Sequence, residues 1–142
     1  MVALFDVNLL IAFLDQQHEK HASATSWFKC NAPSGWASCP ITQNGCLRIM
    51  SQESYPNPLP VPLVAERLRQ AVSSNHHQFW SDDLSLLATD KILSWKKITG
   101  SKQITDVYLL ALAVKRGGRF VTFDKRINSS VVRGGSKHLL VI

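Results

Sequence analysis

The sequence predicts an α/β domain built around a mainly parallel sheet. Three observations carry that prediction. Short apolar runs with strand character alternate along the chain with longer stretches of helical periodicity. The first run, at 2–5, shows no polar alternation, which is the pattern of a strand covered on both faces. Residues 104–124, ITDVYLLALAVKRGGRFVTFD, spell out a helix, a stop and a strand in succession, closed by a carboxylate. At 142 residues the chain is long enough to bury one substantial core, so a single domain is expected over 1–142.

Taken in order, Val2 to Phe5 reads as the first strand, closing on Asp6, and Asn8 to Leu14 as an apolar helix. Asp15 to His21 is polar. A second helix is expected from about Glu19 to Lys29, with Ala22, Trp27 and Phe28 turned inward. Asn31-Ala-Pro-Ser-Gly35 breaks it, and Trp36 to Ser38 reads as a short second strand. Beyond Pro40, Thr42 has the chemistry of a cap for a helix carrying Leu47, Ile49 and Met50 on its apolar side. The four prolines of SYPNPLPVP, at 54–62, predict an extended connector. Leu63 to Val72 then gives an amphipathic helix with Glu66, Arg67 and Arg69 outside, and His77 to Trp80 a third strand followed by Asp82-Asp83. Leu84 to Trp95 is expected to hold one or two short helical turns, and Lys96 to Gln103 to form a basic loop.

In the 104–124 unit, Thr105 is read as the cap and Asp106 lies in the first turn, where the macrodipole favours an anion. Val107 to Val114 is apolar apart from Tyr108, so this helix has no wet face. Lys115 and Arg116 suit its C-terminus, Gly117-Gly118 stop it, and Arg119 to Phe123 reads as a strand ending at Asp124. Leu139 to Ile142 closes the chain as an edge strand.

Composition narrows the function classes. Sixteen Lys and Arg against ten Asp and Glu leave a net charge of +6, which favours a polyanion or an acidic protein as partner. Cys30, Cys39 and Cys46 form no C-x-x-C pair, so a disulfide framework or a Cys-rich zinc site is not expected and a reducing cytoplasm fits. The opening stretch has no basic n-region and carries Asp6 within its apolar run, unlike a signal peptide. No apolar run approaches the ~18 residues of a membrane span.

The chemistry-bearing residues are acids. In a parallel sheet the functional crevice lies beyond the carboxyl ends of the strands, where strand order reverses. Asp6 and Asp124 are read at two such ends, and Asp106 starts the helix that leads into the second. Carboxylates brought together repel unless a cation neutralises them, and their hard oxygens suit Mg²⁺ or Mn²⁺. Metal-assisted hydrolysis of a phosphodiester is the chemistry such a site performs, with the basic surplus holding the backbone. Singly, Asp106 is an ordinary helix-start acid and Asp6 and Asp124 ordinary turn acids; jointly they are far more specific. Lys125 and Arg126 either contact a scissile phosphate or stand in solvent. His18 and His21, at i and i+3, fall one residue short of a zinc-binding H-E-x-x-H and read as a solvated helix start. Lys96, Lys97 and Lys102 read as a solvated loop. The four tryptophans are assigned to the core or an interface.

Four segments in this order, Asp6-x-Asn8, ITQNGCLRIM at 41–50, ITDVYLLALA at 104–113 and VTFD at 121–124, resemble a PIN domain, and more narrowly the VapC toxins of bacterial toxin–antitoxin pairs. The likeness extends over nearly the whole chain, through His18, His21 and FWSDDLSLL at 79–87. It implies a compact α/β/α sandwich and a metal-dependent endoribonuclease. It also implies a small antitoxin as inhibitor and frequent homodimerisation. Asp6, Asp106 and Asp124 match the family's metal-binding acids, and Asn8 and Thr105 match polar residues that support them. One position departs: PIN domains usually carry a glutamate where this chain has Gln43. An amide offers a neutral oxygen but no charge, and at ~4 Å with a dielectric of about 20 one charge pair is worth on the order of 4 kcal/mol. A second metal is therefore weakened or absent, unless Asp82 or Asp83 compensates. Gln43 is otherwise left to orient substrate or water.

The expected function is a Mg²⁺- or Mn²⁺-dependent endoribonuclease toxin acting on RNA in the cytoplasm. The rivals are a PIN-like RNA- or protein-binding module with weakened or lost catalysis, and a nuclease acting on DNA or on rRNA processing sites.

Overall fold

The computed structural model of the chain describes every residue except Thr89 and Asp90. Its strands are Ala3–Phe5 (β1), Trp36–Ser38 (β2), His77–Phe79 (β3), Arg119–Thr122 (β4) and Leu139–Val141 (β5). They form one sheet in the order β3-β2-β1-β4-β5, and every pairing is parallel. The α-helices are Val7–Leu14 (α1), His21–Asn31 (α2), Pro40–Ser51 (α3), Val61–Val72 (α4) and Ile104–Lys115 (α5).

Burial on both faces follows from the strand pattern. In β1, Ala3 and Phe5 join one apolar cluster with residues of α1 to α4, while Leu4 joins the other with α5. The first cluster is built on rings: Phe5 meets Trp36 at 5.1 Å and Trp27 at 5.8 Å between centroids, and Phe13 meets Phe28 at 4.7 Å. The second buries Val107 and Leu109 to Ala113 of α5 against Leu4, Phe120, Trp80, Leu93 and Val131. The result is the expected α/β/α sandwich. Among the described residues no helix is long and apolar enough to cross a membrane.

The chain leaves β1 for β2 and β3 on one side, then crosses to β4 and β5 on the other. The switch point is therefore the gap beyond the carboxyl ends of β1 and β4. Asp6 follows the first of these strands and Asp124 lies two residues past the second.

Several boundaries differ from those read in the sequence, for tertiary reasons. A turn closed by His21 N–H to the His18 carbonyl (2.9 Å) delays α2 to His21, which turns Ala24 inward and leaves Ala22 exposed. The His18 ring accepts the Lys20 N–H, and the His21 ring lies 2.8 Å from the Ala12 carbonyl, so both histidines have structural partners. Thr42 does not precede its helix: α3 starts at Pro40, and the Thr42 hydroxyl reaches back to accept the Cys39 N–H at 3.0 Å. Prolines suit a first helical turn, so α4 begins at Val61 rather than Leu63. Glu66 and Arg69 are exposed and paired at 2.7 Å, whereas Arg67 is half-buried. Lys96 to Gln103 is not plain loop but carries 3-10 turns at Trp95–Lys97 and Ser101–Gln103. Part of the Leu84–Trp95 segment lies outside the described residues; Leu93, beyond that gap, bridges Val132.

Thr105 is not a cap either. The helix grows out of the 3-10 turn before it, Gln103 takes the capping position, and Thr105 lies exposed in the first turn. At the other end Gly117 adopts φ +65°, and Gly118 N–H donates to the Ala113 carbonyl (2.9 Å) while Gly117 N–H donates to that of Val114 (3.1 Å). β4 stops at Thr122; Phe123 leaves the sheet and lies 4.4 Å beneath the Lys20 ammonium. Trp27, Trp36 and Trp80 serve the core, while Trp95 is 40% exposed.

Candidate active site

The register pairs Phe5 with Val121, so Asp6 and Thr122 are opposite one another at the switch point. The buried Thr122 hydroxyl donates to Asp6 Oδ2 at 2.6 Å and accepts the Asp124 N–H at 3.0 Å. One side chain thus ties two acids to the centre of the sheet. Asp6 is only 6% exposed and precedes α1. Burial pushes its carboxyl above the ordinary range, opposed by the Thr122 hydroxyl and by the Val7 and Asn8 amides, and the Asp124 charge adds to the rise.

Asp106 enters from the first turn of α5 and is pushed up to about 6, first by burial, then by the charges of Asp6 and Asp124. Asp124 goes the other way, down to about 2, because Arg126 clamps it. Arg126 Nε donates to Oδ1 at 2.9 Å and Nη2 to Oδ2 at 2.8 Å, a bidentate pair, with its backbone N–H adding a third bond at 2.8 Å. The three acids expected from the sequence therefore share one electrostatic environment. Among the described residues, however, no three His, Cys, Asp or Glu side chains converge into a finished metal cage. Asp124 faces a guanidinium.

The remaining expected residues are placed as follows. Asn8 and Thr105 are exposed at the starts of α1 and α5. Lys125 is exposed, and Arg126 is exposed but engaged with Asp124. Gln43, in the first turn of α3, donates its amide to the Ser38 hydroxyl at 2.9 Å, and Ser38 Oγ lies 2.8 Å from His77 Nε2. Asp83 does not stand in for a missing glutamate: it pairs at 3.2 Å with both Lys115 and Arg116, at the opposite end of α5 from Asp106. Asp82 is exposed and bears on Cys39 and Tyr108. Thr122, Ser38 and His77 were not singled out in the sequence; a strand-end threonine two residues before an acid was the one signal available. A separate cleft of about 590 Å³ opens at the far end of α1, lined by Phe13, Asp15, His21, Tyr55 and Arg67, and holds none of the three acids.

Residues 3–130 match the PIN domain family. The chain belongs to the PIN domain family. Its curated relatives include Ribonuclease VapC44 of Mycobacterium tuberculosis, 45% identical over 140 residues that cover 99% of this chain and 98% of the relative. Ribonuclease VapC39 of the same organism is 38% identical over 138 residues, covering 94% and 96% of the two chains. Among solved structures, VapBC2 from Rickettsia felis, bound to a DNA fragment from its promoter, superposes with a TM-score of 0.59 over 89% of this chain and 90% of that one. At 12% identity this last likeness speaks for the fold alone.

Proposed function

We propose that the chain is a ribonuclease toxin of the VapC type, cleaving RNA phosphodiester bonds with Mg²⁺ or Mn²⁺ held by Asp6, Asp106 and Asp124. The observation that carries this reading is the gathering of three acids at the switch point, where burial first and then the charges of Asp6 and Asp124 lift Asp106 to about 6. The near-full-length relatives named as ribonucleases support RNA as the substrate. The donor set would suit a hard divalent cation once Arg126 releases Asp124: it offers only carboxylate oxygens, and a cation would offset the burial and like-charge repulsion that raise Asp106. Without Glu at position 43, one ion is favoured over two.

Asp6, Asp106 and Asp124 would hold the Mg²⁺ or Mn²⁺, which would supply Lewis acidity to activate a water and to offset charge on the phosphate. Asp106, raised to about 6, would be largely ionised at neutral pH and so able to serve as a ligand. Thr122 keeps Asp6 fixed from below. Arg126 exchanges Asp124 for a phosphate oxygen pair, a partner of the same bidentate geometry, with Lys125 adding positive charge beside it. Asn8 and Thr105 border the crevice from the two helix starts and supply polar support there. The same reading assigns residues 1–142 to one working unit, with a small antitoxin as inhibitor, a second copy as partner and the cytoplasm as its place of action.

The test is cleavage of a mixed tRNA and rRNA pool by antitoxin-free protein with Mg²⁺, with Mn²⁺ and with EDTA, beside Asp6→Asn. Metal-dependent cutting that disappears in the variant is expected. Intact RNA in every lane from folded protein would instead favour a binding module that has lost catalysis, a reading to which Gln43 and the Arg126 clamp on Asp124 lend some weight.

A further inference from the structure

Gln43 sits just beyond the carboxyl end of β2, and the groups behind it form a directed chain. Its Nε2 donates to Ser38 Oγ, and Ser38, fully buried, lies against His77 Nε2. The His77 ring packs edge-on against Trp36 with centroids 4.5 Å apart. Ser38 Oγ already accepts from the Gln43 amide, so its own proton is free for His77. Burial favours the neutral imidazole, whose unprotonated Nε2 accepts that proton. Ser38 then gives its single proton to His77 and has only lone pairs left for Gln43. An oxygen that can only accept selects the NH₂ end of the amide. Oε1 takes no hydrogen bond from the described residues. Since every buried polar side-chain atom among the described residues is satisfied, Oε1 faces solvent.

We propose that Ser38 and His77 are positioning residues that orient the Gln43 amide, so that its carbonyl oxygen rather than its NH₂ group is presented to the crevice. The inference rests on the reading that this crevice holds a cation. A carboxylate is alike at both ends and needs no such device. An amide does, because an NH₂ group turned toward a cation repels it. The relay is thus the requirement that comes with glutamine at this position.

The experiment measures Mn²⁺ affinity by calorimetry for wild type, His77→Phe, Ser38→Ala, Gln43→Glu, the two double variants with Gln43→Glu, and Asp6→Asn. Phe preserves the ring against Trp36, and thermal melts check that each protein is folded. His77→Phe and Ser38→Ala are expected to weaken Mn²⁺ binding about tenfold in the Gln43 background, as outer-shell changes do. In the Gln43→Glu background the same changes are expected to shift affinity by less than about twofold, because the carboxylate is indifferent to orientation. If His77→Phe does not fold, Ser38→Ala carries the same comparison. Equal losses in both backgrounds, or none in either, overturn the proposal. Asp6→Asn separates the two levels: Mn²⁺ binding unchanged in that variant overturns the metal-site reading itself.

Discussion

Asp106 resists ionisation until about pH 6, whereas in an unfolded chain it titrates near 3.8. Between those values the folded protein holds a proton that the unfolded chain has released. Stability therefore falls as pH rises through this window and is regained on acidification. Asp106→Asn removes the charge while keeping the shape, and in EDTA at about pH 7 it is expected to melt a few degrees above wild type. The gap should close near pH 4. A variant melting at or below wild type at both pH values would refute the account. Bound cation reverses the preference, so affinity for Mn²⁺ should decline as pH drops through about 6. The three candidate acids could be picked out in the sequence because Asp6 and Asp124 follow strand-like runs and Asp106 starts a helix. Thr122 and the Ser38–His77 pair were not: their bonds join residues 116 and 39 positions apart, and nothing periodic marks such partners.

At the scale of elements, the α5–β4 junction shows how local chemistry sets a long-range placement. Gly118 passes so close to the core that an added Cβ would lie 2.4 Å from the Trp80 ring and 2.7 Å from the Val2 carbonyl oxygen. Its backbone N–H also closes the end of α5. Gly118→Ala forces ring or strand to move, and is expected to cost on the order of 1–3 kcal/mol as an overpacked core position. Urea denaturation measures this, and an unchanged midpoint would show that the junction yields. This unit was readable from sequence because its stop signal, apolar run and strand are all local. The starts of α2 and α3 were misjudged because they are set elsewhere: by a turn at His18, and by a threonine that caps from inside its own helix.

The alternation of strands and helices was enough to predict a parallel sheet, but not the order β3-β2-β1-β4-β5, which depends on which crossovers pack best across the whole molecule. Net charge belongs to the same scale. With +6 spread over 142 residues, RNA affinity is expected to fall linearly on a log–log plot against salt, by about 0.7 per phosphate contacted. Binding indifferent to salt would point to a partner other than RNA. The Thr122 hydroxyl has one more implication, for the order of biosynthesis. It joins β4 to Asp6, which leaves the ribosome 116 residues ahead of it. β1 must wait for β4 before its acid acquires this companion. A growing chain thus carries no assembled acidic centre while the residues between Asp6 and Thr122 are being made. The centre forms only as the fold closes over β1, after the ribosome has read through Asp124.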